Sequence, residues 1–167
     1  MSITNTAQLA TTAQVDVRGP RFAAWVTTAV LLATLIISGF SVIGAAVVLG
    51  VQGVVFAVGA LYGPRRHPYG LVFARLVAPR LAPTTEREPV APLRFAQLVG
   101  LTFAIVGVAG FAAAPAVGVS VGLTATGFAL AAAFLNAAFG ICLGCQLYPL
   151  VARLRTTPPM TTAFPSK

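Results

Sequence analysis

Four apolar stretches separated by polar segments of very unequal length set the first reading of this chain. They run near Phe22–Phe40, Val42–Gly63, Phe95–Ala114 and Val117–Ile141, and none contains Asp, Glu, Lys, Arg or His. Each is long enough to cross about 30 Å of hydrocarbon at a rise of 1.5 Å per residue. The pattern predicts an all-α membrane protein whose transmembrane domain covers residues 21–155, between polar tails at 1–20 and 156–167. Short turns at Ser38-Gly39-Phe40-Ser41 and near Ala114-Pro115-Ala116 predict two antiparallel hairpins, joined by a central loop at 64–94.

Charge then fixes an expected orientation. Arg18 and Arg21 precede the first stretch, six arginines (Arg65, Arg66, Arg75, Arg80, Arg87 and Arg94) fill the central loop, and Arg153, Arg155 and Lys167 follow the last stretch. The two short turns carry no charge at all. Segments rich in Arg and Lys stay in the cytoplasm, so both termini and the central loop are expected there, in a multi-pass protein of the cell (inner) membrane. A formal charge of +8 would suggest nucleic acid for a soluble domain. Here the basic residues flank membrane spans, where orientation and anionic headgroups account for them, and the lipid bilayer is the expected partner in place of nucleic acid. The first apolar run follows Asp16 and lacks a cleavage site, so it does not read as a secretory signal.

The two halves share a pattern. Arg21-Phe22-Ala23 opens the first hairpin and Arg94-Phe95-Ala96 the second; Tyr69 to Leu76 follows the first and Tyr148 to Leu154 the second, each with Leu-Val and Ala-Arg-Leu. Both hairpins enter from the same side, which predicts a parallel repeat about an axis along the membrane normal. The Tyr-Leu-Val segments read as short interfacial helices with Tyr at the headgroup edge. Gly59-x-x-x-Gly63, Gly118-x-x-x-Gly122 and Gly140-x-x-x-Gly144 predict close helix packing within the monomer, with homo-oligomerisation as the alternative.

With no ionisable group inside a span, ion-coupled pumping and proton relays lose their usual carriers. Gln52, Gln97 and Asn136 are the strongest intramembrane polar groups, each expected to hydrogen-bond a neighbouring helix. The chain's two cysteines form Cys142-Leu143-Gly144-Cys145, a spacing that chance gives on the order of one time in a hundred. It is the candidate catalytic dithiol, suited to a disulfide, a persulfide relay or half of a metal site; with His67 as the chain's one further ligand, no metal and no cofactor is expected. The alternative for the pair is packing by small apolar residues. The continuous fourth stretch places the pair at the end of a helix, where the negative dipole end opposes a thiolate. Arg65, Arg66 and His67 of the central loop are therefore the expected source of positive field, or of an anion site, with His67 itself solvated.

Val15-Asp16-Val17-Arg18-Gly19-Pro20-Arg21-Phe22, Gly63 to Gly70, Pro79-Arg80-Leu81, Glu86, Pro92 to Gln97 and the cysteine pair with Tyr148 together resemble domain of unknown function 4395, a small actinobacterial-type multi-pass membrane family. The resemblance covers about Val15 to Arg155 and implies no established activity. Members are often encoded beside thioredoxin-like and thiosulfate sulfurtransferase proteins, which implies a partner of one of those kinds. The reading that results is a thiol-redox or sulfur-relay component with a cytoplasm-facing dithiol, Cys145 outermost and Cys142 resolving; a quinone-coupled variant would need a flat apolar pocket beside the cysteines. The alternatives are a non-enzymatic scaffold or assembly subunit, and a passive conduit for a small solute.

Overall fold

A computed structural model describes residues 14–82, 84–113 and 117–155. Four helices are long and apolar enough to cross a membrane: α1 (Arg18–Ser38), α2 (Val42–Tyr62), α4 (Val90–Ala112) and α5 (Val117–Phe139). Two shorter helical segments follow the two pairs. The first, α3 (Pro68–Val72), runs on through a π turn at Phe73–Val77 and a 3-10 turn at Ala78–Arg80; the second is α6 (Leu143–Arg155). Two short strands, β1 (Gln14–Asp16) and β2 (Arg87–Pro89), pair antiparallel with Val15 opposite Glu88. Residues 1–13 of the predicted tail at 1–20, the predicted tail at 156–167 and the turn at 114–116 lie outside the described residues.

α1 and α4 begin four and five residues before the apolar stretches that predicted them. Their first turns contain Pro20 and Pro92, where the backbone N–H groups have no helical partner and proline removes no bond. Both helices thus start among the charges and enter the apolar zone already formed. At the opposite end, α1 stops at Ser38 and Ser41 caps α2, its Oγ accepting the Gly44 N–H at 3.0 Å.

The four long helices pack as a ring in which α1 and α4 each lie against both α2 and α5. The buried core collects Leu31, Leu49, Phe56, Ala104, Phe111 and Ala129. Only 22–33% of each apolar window is buried, and Ile36, Val47, Val54, Ile105 and Phe128 face outward, as in helices solvated by lipid. Buried hydroxyls are satisfied within their own helices: Thr34 donates to Val30 O at 2.9 Å and Thr126 to Gly122 O at 2.7 Å. At Gly110, Gly118 and Gly122 the backbones of α4 and α5 meet so closely that an added Cβ on Gly110 would lie 2.6 Å from Gly122 N. That glycine spacing is internal packing.

α3 lies on α1 and α6 on α4. Each is pinned by an aromatic pair, Phe22 with Phe73 at 5.8 Å between ring centroids and Phe95 with Tyr148 at 6.0 Å. The segment from Tyr148 to Leu154 is helical, within α6, and Leu147, Leu150 and Leu154 are exposed. Tyr69 departs from the headgroup-edge expectation. Its hydroxyl reaches into the bundle and donates to Gln52 Oε1 at 2.8 Å, because Gln52 is 1% exposed and its amide has to be hydrogen-bonded from within the protein.

Candidate functional site

The apolar run from Val117 is broken where sequence periodicity could not show it. α5 ends at Phe139, and Gly140 takes φ +69°, a left-handed conformation that closes helices and that a side chain disfavours. The Gly140 and Ile141 N–H groups turn back to Asn136 O and Leu135 O. Gly140 and Gly144 therefore do not share one helical face, and Cys142-Leu143-Gly144-Cys145 opens a helix instead of closing one. Cys142 precedes the first residue of α6, and its Sγ accepts the Cys145 N–H at 3.2 Å. The expected dipole penalty is thus reversed: a sulfur here sits at the positive end of α6, where a thiolate is favoured.

Cys142 and Cys145 form a disulfide with a Cα separation of 5.2 Å. Gly144, between them, lies against α4 so tightly that a Cβ there would stand 2.6 Å from Ala96 Cα. Any larger residue has to push the dithiol turn off α4. Both cysteines are partly buried.

A cavity of about 600 Å³ begins at Cys142 and extends into the bundle. It lies between α1 and α4, and small side chains create it: Ala23 and Ala24 of α1, Ala96 and Gly100 of α4, Ala129 and Ala133 of α5. Val15 and Asp16 of β1, the exposed Arg65, Phe103 and Phe128 also line it. The β1–β2 ribbon is fixed over it by Asp16, which accepts the Arg18 N–H at 2.9 Å, and by Arg18, which donates to Ala82 O at 2.8 Å.

The solvated His67 of the sequence reading is corrected. Its side chain is 3% exposed, wedged against Gly59, where a Cβ would lie 2.7 Å from His67 Cδ2 and 2.9 Å from Gln97 Cγ. The glycine in α2 leaves room for the loop to fold its imidazole inward, and Tyr69 packs edge-on to it at 5.3 Å. Burial lowers the His67 pKa to about 4, and a polar approach to the Gln97 side chain, which falls short of full hydrogen-bond geometry, acts the other way. At neutral pH the ring is uncharged and offers hydrogen bonds, not positive field. Although Gln97 lies close, both ring nitrogens and Gln97 Oε1 have no hydrogen-bond partner among the described residues, and each such group costs about 1–3 kcal/mol while it stays unpaired. His67, Gln97 and Asn136 all line the cavity, whereas Gln52 does not; its Oε1 is taken by Tyr69 and its Nε2 is buried without a partner among the described residues.

Of the other predicted residues, Arg65 shares the cavity with Cys142, and Arg66 turns away to stack over Tyr62, 5.9 Å from the ring centroid. A different guanidinium approaches the cysteine turn. Arg21 NH2 would lie 2.6 Å from a Cβ on Gly140, two residues before Cys142, and Arg21 also lowers the pKa of Glu88, which burial raises more strongly. Its counterpart Arg94 donates to Ala60 O and Leu61 O, both at 2.8 Å, at the end of α2. The repeated Arg-Phe-Ala carried that signal, since each copy places an arginine at the charged end of a long helix of the other hairpin.

The fold and site define a class: a small multi-pass membrane bundle with a disulfide at a helix N-terminus beside an internal cavity. The family described as Domain of unknown function (DUF4395) matches residues 15–153, and the chain belongs to it. No curated protein and no solved structure matches the chain.

Proposed function

We propose that this protein is a membrane thiol-redox component whose Cys142–Cys145 pair exchanges with a soluble thiol protein, with its basic side in the cytoplasm. The observation that carries the reading is the position of Cys142, its sulfur receiving an amide N–H at the start of α6. A disulfide opens fastest when the departing sulfur is the more stable thiolate. Cys142 is that sulfur, and it lines the cavity. An incoming thiolate then attacks Cys145 Sγ, the Cys142–Cys145 bond breaks, and Cys142 departs as thiolate. The partner's second thiolate attacks its own sulfur in the mixed disulfide, so Cys145 is released, the partner is left oxidised and the pair reduced.

Sulfur relay would use the same sulfur as a persulfide, and the exposed Arg65 of the cavity lining would attract an anionic donor. The passive-conduit alternative is disfavoured by the α4–α5 backbone contact at Gly110, Gly118 and Gly122, which packs the far half of the bundle. A scaffold would have no use for the sulfur chemistry.

The test is exchange between detergent-purified protein and a reduced thioredoxin-like protein. Wild type should oxidise it stoichiometrically, Cys142→Ser should trap an oxidised partner as a mixed disulfide through Cys145, and the double Cys→Ser variant should do neither. Transfer of labelled sulfane sulfur to Cys142 with no dithiol oxidation would move the assignment to sulfur relay. Absence of both reactions would leave the scaffold reading.

A further inference from the structure

We infer that the cavity beside Cys142 binds a membrane-soluble quinone, which takes electrons from the reduced Cys142–Cys145 pair. The inference rests on the thiol-redox reading and names the electron acceptor. Its volume, about 600 Å³, is that of a site for a small organic molecule, and its walls are chiefly Ala, Gly, Phe and Leu. Arg65, an exposed residue, is the one arginine or lysine of the lining and Asp16 lines the cavity too, so a buried oxyanion gains little compensation. An apolar ring does not need it.

The polar groups select the head of that ligand. His67 lines the cavity, is 97% buried by its 3% exposure, and leaves both nitrogens unpaired; Gln97 Oε1 is unpaired beside it. A neutral imidazole has one N–H and one lone pair, and the amide oxygen adds an acceptor. That mixture suits a group which accepts a hydrogen bond as a carbonyl and donates one as a hydroxyl. Both nitrogens are buried, so engaging the ligand requires the imidazole to turn about its Cβ–Cγ bond until one of them faces the cavity. A route from the bilayer also exists in outline: Phe103 and Phe128, with ring centroids 6.2 Å apart, line both the cavity and a groove on the outer face of α4 and α5, and Phe128 is 63% exposed. A lipid-dissolved ring can enter by displacing them.

The chemistry balances. The two thiols give up two protons and two electrons as the sulfur–sulfur bond forms, and the two quinone carbonyls become the two hydroxyls of a hydroquinone. Cys142, on the cavity wall, is the sulfur nearest the acceptor.

The experiment uses full-length protein in nanodiscs with a decyl-tailed benzoquinone under anaerobic conditions. Pre-reduced wild type should form one hydroquinone per disulfide. His67→Ala and Gln97→Leu should each weaken quinone binding about tenfold, the effect of one lost hydrogen bond. Ala132 of α5 also lines the cavity, and Ala132→Phe fills it and should abolish binding while leaving exchange with a soluble dithiol intact. The double Cys→Ser variant should bind quinone and reduce none. If soluble-dithiol exchange proceeds but quinone uptake equals that of empty nanodiscs, or is unchanged in both Gln97→Leu and Ala132→Phe, this inference falls and the redox reading stands. If quinone binds specifically yet neither exchange nor reduction occurs, the cavity site stands, while the redox reading and the electron transfer proposed here both fall.

Discussion

Gly63 and Gly140 stand at corresponding points of the two hairpins, each just beyond the end of a long helix, and they are the two positive-φ residues among those described. An arginine from the opposite hairpin closes on each, Arg94 at Gly63 and Arg21 at Gly140. A short helix then starts from each loop and is pinned by an aromatic pair. The frames match, as duplication of one hairpin would produce, but the contents differ. The first loop delivers a buried neutral imidazole, the second a disulfide, and both open on the same cavity between α1 and α4. One half brings hydrogen-bonding groups to that cavity and the other brings a sulfur atom.

The largest difference between the halves should appear in acid. Burial holds the His67 pKa at about 4 against an ordinary 6.5. Between those values the unfolded chain carries a proton on His67 that the folded chain excludes, so stability is intact above 6.5 and declines as pH falls towards 4. The 2.5-unit window at 1.36 kcal/mol per unit amounts to about 3 kcal/mol. Glu88, whose pKa burial raises, contributes with the opposite sign in the acid range, so only a comparison isolates His67. Denaturation of wild type and His67→Gln in the same detergent from pH 7.5 to 4.5 checks this. Equal pH slopes would mean that the ring is not buried in the folded protein.

The next effect separates the two glycines. At Gly63, with φ +80° and ψ 177°, alanine meets only ordinary contacts at 3.6 Å but adopts backbone angles almost confined to glycine. Gly63→Ala should cost about 2 kcal/mol and leave the alkylation rate of reduced Cys142 unchanged. At Gly140 the backbone penalty is about 1–2 kcal/mol, and the new methyl also has to displace Arg21. Gly140→Ala should therefore slow Cys142 alkylation at neutral pH as well as destabilise. Equal effects of both substitutions on alkylation would remove Arg21 from the cysteine environment.

What the chain reveals before folding follows from which forces act locally. The four spans were legible because burial in hydrocarbon leaves runs of uncharged residues, and α2 and α5 keep the predicted starts at Val42 and Val117. The break at Gly140 was not, since Phe139, Gly140 and Ile141 read as more of an apolar run and only the backbone angle distinguishes a cap from a helical glycine. That single residue inverts the field on the cysteines. His67 was misplaced for a related reason: a histidine beside Pro68 in a basic loop looks solvated, and the space that receives it belongs to Gly59, eight residues earlier on α2. The cavity is a matter of missing volume, produced where alanines and glycines of three helices face one another, and no local pattern reports it. The cysteine spacing, by contrast, was visible outright because two thiols within bonding reach need no tertiary context.

The smallest expected effect tests whether the arginines are structural equals. Arg94 joins two terminal carbonyls of α2, so Arg94→Gln should lose two charge-assisted hydrogen bonds at an exposed site, about 1 kcal/mol after solvent competition. The loss should be seen as a lower unfolding midpoint with thiol exchange intact, because Arg94 acts at the end of α2 and not at the cysteines. Arg21→Gln should show the reverse balance. Its guanidinium lies against the turn that precedes Cys142, where positive charge adds to the helix N-terminal field and favours the departing thiolate. Exchange should slow by a few-fold and stability change less than in Arg94→Gln. High salt distinguishes field from contact: an exposed guanidinium acting through charge is screened within about 8–10 Å near physiological ionic strength. The gap between wild type and Arg21→Gln should narrow as salt rises. If it does not, Arg21 serves the second hairpin only as Arg94 serves the first, and the cysteine turn draws its activation from α6 alone.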